Sequence, residues 1–454
     1  MAVDLGPDAP ARSTPRRRHP LSATIGALVG WVALVSIGRW WGLALLAHHR
    51  ALTLPEPPLL GRPGPGLTPR LLVPSTVGAL LIAGVPWAVR RLRWGWLLVA
   101  TAGATAAWSV ALALVDGSDG LTHGLAGHTE LGTDVPSVAA SPLRFLSTFS
   151  ARITHYQVQA RGHPPGMILI LAGLDRIGLA GNGWAAALCI TGGCIGSVAV
   201  VVAAKELCGE TTARRAAPFV AIAPAAIWIA TSADAFYLGV AAVSVATLVM
   251  AINRTGRRSD QLALAGGIGF GACLMLSYGL VLIIVIPALV ARRARRLRPL
   301  VLAAAGAAGV LGAFALLGFW WPVGLLATRE QYDRLHVWRP WWYFVVANLS
   351  AWALALGPAI AVALSRLRDR SVALLVGGAV LAAVVADLSG LSEGEVERIW
   401  LPFTVWVLAA GTALWPDTRT PTGSRVVAER PVQGWLALQA VSAIALVSLV
   451  RTQW

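Results

Sequence analysis

A chain of 454 residues with 56% hydrophobic and only 13% charged residues is far poorer in charge than a soluble domain, which carries about 25%. Its mean hydropathy of +0.67 and its long apolar runs mean that most of its surface must face lipid. The net charge of +16 does not read as nucleic-acid binding, because the arginines fall in short clusters between apolar runs, as cytoplasmic loops of membrane proteins do.

Residues 1–20 form a polar, Arg-rich tail without a signal-peptide core, so the N-terminus is expected in the cytoplasm. An apolar run at 21–46 carries the chain out, a Pro/Gly-rich loop at 54–69 follows, and 71–89 returns to Arg90, Arg91 and Arg93. Residues 94–115 go out again and end at Asp116. The stretch 116–165 is the longest polar segment between spans and belongs on the outer face by the same charge rule. Within it, Leu143, Leu146 and Phe149 share one helical face, which predicts a short helix lying on the membrane.

Two apolar segments, 166–181 and 184–204, precede the basic loop 205–215. Two full crossings would leave Lys205, Arg214 and Arg215 on the outer face, so the first segment, short and holding Asp175 and Arg176, is expected not to cross cleanly. Residues 216–231 exit, and 236–252 return to Arg254, Arg257 and Arg258. The stretch 261–291 lies between two basic clusters yet is too short for two crossings at 1.5 Å per residue, which predicts a bent hairpin broken around Ser277, Tyr278 and Gly279. Residues 299–319 lead to an aromatic outer loop at 320–343, and spans at 344–364, 372–388, 401–415 and 433–450 complete the chain.

The reading is an all-α bundle of about 11–13 spans in a bacterial cytoplasmic membrane. Three spans (21–115) precede the long loop (116–165), the remaining bundle (166–454) carries outer loops at 320–343 and 389–399, and the C-terminus is outside. Cys189, Cys194, Cys208 and Cys273 form no disulfide framework and read as small core residues.

This topology sends Asp116, Asp119, Glu130, Asp134, Asp234, Glu330, Asp333, Asp387, Glu393, Glu395 and Glu397 to the outer face or its interface. Asp116 and Asp234 stand out, because they end apolar helices where an unpaired carboxylate is costly. The run Arg161-Gly162-His163-Pro164-Pro165-Gly166 closes the long loop. Its prolines suit a helix start, while Arg161 and His163 can meet an anionic group beside the free N–H groups of that helix. The histidines, among them His48, His49, His123, His128, His155 and His336, lack a metal-ligand spacing, so neither a metal nor another cofactor is expected. Trp320, Trp321, Trp338, Trp341, Trp342 and Tyr343 read as an interfacial aromatic belt, with sugar stacking as the alternative.

Taken in order, these motifs resemble the GT-C glycosyltransferases: a long loop after an early span, Glu130-Leu131-Gly132-Thr133-Asp134 within it, and His163-Pro164-Pro165 at its close. Ser232-Ala233-Asp234, Arg339-Pro340-Trp341-Trp342-Tyr343 and Glu395-Val396-Glu397-Arg398-Ile399-Trp400 extend the likeness from residue 116 to about 406, particularly to actinobacterial GT-C-like membrane proteins. The resemblance implies inverting transfer of a sugar from a polyprenyl-phosphate donor to an acceptor hydroxyl on the extracytoplasmic side. Some members use a divalent ion, for which this sequence offers no ligand set. One carboxylate must take the acceptor proton, with Asp116 first and Glu130 and Asp134 next, and fixed positive charge must meet the departing phosphate, with Arg161, His163, Arg339 and Arg398 as candidates. Asp234 and Glu395 are further polar members of the group. Rival readings are a transporter or flippase for a lipid-linked or small polar substrate, and an inactive GT-C-like partner in envelope assembly.

Overall fold

The computed structural model describes residues 20–48, 52, 54–126, 131–335, 339–416 and 430–453. The long helices are α1 (Pro20–Ala47), α2 (Leu72–Arg91) and α3 (Trp94–Ala113). The loop segment then carries three short helices, α4 (Val135–Ala140), α5 (Pro142–Thr148) and α6 (Val158–Gly162), and α7 (Gly166–Arg176) follows it. After them come α8 (Asn182–Cys208), α9 (Glu210–Ala221), α10 (Asp234–Asn253), α11 (Gly256–Leu276), α12 (Val285–Ala294) and α13 (Arg298–Leu316). The last third holds α14 (Trp321–Leu335), α15 (Trp341–Leu356), α16 (Pro358–Arg366), α17 (Arg370–Leu388), α18 (Val396–Ile399), α19 (Leu401–Val407) and α20 (Arg430–Leu449). A two-stranded antiparallel ribbon joins β1 (Gly61–Pro63) to β2 (Val450–Thr452).

The protein is a polytopic helical bundle. Among the described residues nine helices are long and apolar enough to cross a membrane, or ten if α15 and α16, bent by 94° at Gly357, count as one span. That is fewer than the 11–13 expected, and two segments account for the difference. Residues 216–231 do not form a straight crossing: α9 ends at Ala221, a 3-10 turn occupies Pro224–Trp228, and every residue from 216 to 232 is buried. Residues 401–415 likewise give only α19 and a 3-10 continuation to Leu414, with 401–411 wholly buried. Seven α-helical and seven 3-10 residues reach about 25 Å, short of a hydrocarbon core of about 30 Å. These runs are apolar because protein surrounds them, which hydropathy cannot tell from lipid.

Polar contacts bring the arginine clusters to one end of the bundle. Arg214 donates to the carbonyls of Val89 (3.0 Å) and Leu92 (2.9 Å), Arg254 pairs with Glu206 at 3.2 Å, and Arg298 pairs with Asp260 at 2.8 Å. The loop at 205–215 therefore lies beside the end of α2, as the charge pattern demands. It can do so because α7, at eleven residues or about 16 Å, is too short to span. The hairpin at 261–291 also breaks where expected: α11 ends at Leu276, and a 3-10 turn over Tyr278–Ile284 leads into α12.

At the opposite end the described parts of the segment from Asp116 to Pro165 fold back onto the protein. Here α5 corrects the interfacial-helix expectation. Phe145, Leu146 and Phe149 are its buried face, while Leu143 is 63% exposed. Phe149 stacks on Tyr156 (5.7 Å) and meets Phe145 (5.4 Å) and Phe319 (5.6 Å) edge-on, so the helix packs inward. The stretch 320–343, expected as loop, carries the helix α14. It packs against α6 and the 3-10 turn at Ile153–His155.

Candidate functional site

The site is organised by the turn between α17 and α18. Gly390 (φ 68°) and Gly394 (φ 96°) take left-handed conformations, and so does Glu395 (φ 61°), an uncommon state for a residue with a side chain. Three groups hold the turn. Asn348, in the middle of α15, donates to Asp387 (2.8 Å) and to the Ser392 carbonyl (2.5 Å), and accepts from the Gly394 amide (3.0 Å). The Glu393 amide donates to the Tyr332 hydroxyl at 2.8 Å, and Arg339 donates to the Glu393 carbonyl. Strain at Glu395 is thus over-determined by its surroundings, the condition under which such geometry persists at functional sites.

From this turn α18 carries Arg398, which is 5% exposed. Its Nη1 donates to Asp234 Oδ2 at 2.7 Å, and its Nη2 to Glu395. Asp234 is the first residue of α10 and is itself 2% exposed. The Ser232 hydroxyl donates to its Oδ2 (2.8 Å) and accepts from its amide (3.1 Å). The positive end of the helix dipole also favours the carboxylate here.

His163 completes the group. Its Nδ1 lies 2.9 Å from the Gln159 carbonyl, which can only accept, so Nδ1 carries the proton and a neutral ring keeps Nε2 as an acceptor. Burial holds the imidazole below its ordinary value, against the opposing pull of Asp234. The ring lies 5.8 Å from that of Tyr237, one turn along α10 from Asp234. Together His163, Gln159, Thr231, Asp234, Tyr237 and Arg398 line a cleft with Gly124 and Leu131, with room for about one water molecule. The Thr231 hydroxyl has no hydrogen-bond partner among the described residues.

The structure brings together Asp234, Glu395, Arg398 and His163, and sets other expected members apart. Asp116 pairs with Arg451 at 3.2 Å and does not line the cleft. Asp134 accepts from the Gln157 amide at 2.8 Å and braces the long segment. Burial raises its carboxyl above the ordinary value, with Gln157 and Arg161 opposing. Glu130 lies outside the described residues. The Arg161 carbonyl accepts from Thr328 at 2.9 Å, which ties α6 to α14. Arg339 sits over the Phe344 ring at 5.4 Å and beside Glu393 rather than in the cleft. Asp116 and Asp134 thus lie apart from His163 and Arg398, and Asp234 is the carboxylate beside them. Among the described residues no three His, Cys, Asp or Glu side chains are grouped to hold a metal ion.

Sequence reasoning missed Glu397, Thr231, Tyr237 and Asn348 as site residues. Asn348 carried a readable signal, a lone amide inside an apolar span. Glu397 is fully buried, and neither carboxylate oxygen has a hydrogen-bond partner in another described residue. Burial pushes it from 4.5 up to about 8, helped by Glu395 and opposed by Arg398. Burial likewise pushes Glu393 up to about 7.

A proton held at Glu397 in the folded state and released by the unfolded chain makes stability fall as pH rises from about 4.5 through about 8. Glu397→Gln removes that slope. The variant is expected to match wild type near pH 5 and to exceed it by a few kcal/mol above pH 8, read from thermal midpoints in neutral detergent. Equal slopes in the two proteins would show that Glu397 does not carry the proton.

No protein-family profile and no curated protein matches the sequence. Among solved structures, the apo state of ArnT from Cupriavidus metallidurans aligns over 78% of this chain and 76% of its own, at 14% identity and a TM-score of 0.46. ArnT bound to undecaprenyl phosphate aligns over 79% and 76%, at 13% identity and the same TM-score. The Archaeoglobus fulgidus oligosaccharyltransferase complexed with Zn and sulfate aligns over 64% of this chain and 45% of its own, at 15% identity and a TM-score of 0.35. This chain is similar to these proteins in helical architecture.

Proposed function

We propose that this protein is a membrane glycosyltransferase of the GT-C kind, moving a sugar from a polyprenyl-phosphate donor to an acceptor hydroxyl on the extracytoplasmic side. The observation that carries the reading is the buried pair of Asp234 and Arg398 lining one cleft with His163, with Glu395 against Arg398, at the end of the bundle away from the arginine clusters. A carboxylate fixed by a guanidinium beside a neutral imidazole is what an inverting transfer needs. Asp234 accepts the proton of the acceptor hydroxyl as its oxygen bonds to the anomeric carbon. The bond from that carbon to the phosphate oxygen breaks, and the polyprenyl phosphate departs with the electron pair. Arg398 supplies donors and positive charge on the side where that charge gathers, while the neutral His163 presents Nε2 as an acceptor. The cleft must widen on donor entry, since a sugar phosphate is far larger than a water.

The orientation follows from the charge rule: arginine clusters in the cytoplasm, the segment 116–165 beyond the bilayer. Polar groups gathered at one end, not at mid-membrane on repeated halves, favour an enzyme over a transporter. Purified full-length protein incubated with radiolabelled polyprenyl-phosphate hexoses and pentoses, with envelope membranes as the acceptor source, is expected to release label from the lipid in an acceptor-dependent way. Absence of transfer across that panel, or thiol labelling that places a Ser137→Cys reporter in the cytoplasm, defeats the reading.

A further inference from the structure

A second charged group lies apart from the cleft. In the ribbon, Arg62 stands directly opposite Arg451. Opposed residues share a face with their Cβ atoms about 5 Å apart, and like charges so placed are unfavourable. The platform is fixed: the ribbon continues through Gly64 N to Leu449 O (2.8 Å) and Gly66 N to Ser448 O (2.9 Å) on one side and Gln453 N to Leu60 O (3.2 Å) on the other. A third guanidinium joins from the 3-10 turn Pro69–Leu71. Arg70 Nη1 lies 3.1 Å from where a Cβ on Gly117 would stand, next to Asp116. Asp116 pairs with Arg451 at 3.2 Å, and among the described residues no other carboxylate lies within 4 Å of any of the three arginines. Three cations thus share this edge with one carboxylate, which pairs with Arg451, and Arg62 and Arg70 are exposed.

The placement says what compensates them. The turn at 69–71 opens α2, Asp116 closes the span that begins at Trp94, and β2 follows α20 directly. All three segments end membrane-crossing helices, which sets the arginines at headgroup level. Leu67 (97% exposed), Leu72 (68%) and Leu449 (68%) offer apolar surface along the same edge. We propose that Arg62, Arg70 and Arg451, whose charge Asp116 offsets only in part, bind the phosphate of an anionic phospholipid, whose acyl chains run along those leucines. Guanidinium forks are suited to phosphate oxygens, and the lipid relieves the repulsion between Arg62 and Arg451. This site is independent of the cleft and of the transferase reading.

The test uses full-length protein in nanodiscs of phosphatidylcholine alone or with phosphatidylglycerol, compared by thermal unfolding. Phosphatidylglycerol is expected to raise the midpoint of wild type by about 3 °C or more. The Arg62→Gln/Arg70→Gln variant, which keeps the Asp116–Arg451 pair, is expected to lose that gain while matching wild type in phosphatidylcholine. Asp116→Asn, which adds one net positive charge, is expected to retain phosphatidylglycerol at higher salt than wild type during detergent washing. The proposal is overturned if phosphatidylglycerol stabilises the double variant as much as wild type. It is equally overturned if Asp116→Asn releases the lipid at lower salt, or if inorganic phosphate in phosphatidylcholine discs reproduces the full gain, since the ligand is then a free anion.

Discussion

Asp234→Asn is expected to lower the transfer rate by about 10²–10⁴-fold, the usual contribution of a positioned general base, while Asp116→Asn stays within about threefold of wild type. The difference rests on geometry. Asp234 is buried at the start of α10, lines the cleft and is held at 2.7 Å by Arg398. Asp116 faces Arg451 on the ribbon side of the bundle end. The amide of Asn keeps an oxygen for Arg398 or Ser232 and nearly the same volume, so the fold persists and the missing element is proton uptake. The loss therefore falls on kcat with little change in KM, because an interaction made only in the transition state has been removed. Transfer abolished by Asp116→Asn and intact in Asp234→Asn returns the base to the mouth of the long segment and refutes the assignment.

The membrane architecture was legible because its cause is local. Apolar runs and arginine clusters are properties of the chain itself, and they even settled the short α7 against simple counting of hydrophobic segments. The misread parts depend on neighbours. Residues 216–231 and 401–415 are as apolar as lipid-facing helices, yet Trp228 and Trp406 are fully buried in protein. In α5 three positions of apolar spacing named Leu143, but Phe145 supplied the buried face, since a helix this short gives periodicity too little length to decide. The helix α14 did leave a trace: Arg329 and Asp333, and Glu330 and Arg334, sit at i,i+4 spacing and pair in the structure. Its aromatic flanks drew attention away from that signal. At the site, Arg398, His163 and Asp234 were each visible as charge where charge is costly. Their convergence with one another rather than with Asp116 comes from contacts 164 residues apart, such as the Arg398–Asp234 pair, which no local pattern encodes.

Arg398 has two roles to separate, holding buried carboxylates and meeting the donor phosphate, and Arg398→Met distinguishes them. Removing the guanidinium leaves Asp234 and Glu395 without their shared counter-charge, next to a Glu397 that is already costly to ionise. Breaking a buried pair from one side costs about 3–5 kcal/mol, so the variant is expected to unfold at a clearly lower temperature even without substrate. Adding Asp234→Asn to Arg398→Met removes one stranded charge and is expected to recover about half the loss, a coupling that independent sites do not show. Arg398→Lys keeps the charge but not the fork that reaches two carboxylates at once, and should fall between the two. If Arg398→Met is as stable as wild type at pH 8 and only raises the donor KM, the carboxylates do not need Arg398. The guanidinium is then free for the phosphate, and its ties to Asp234 and Glu395 give way when the donor arrives.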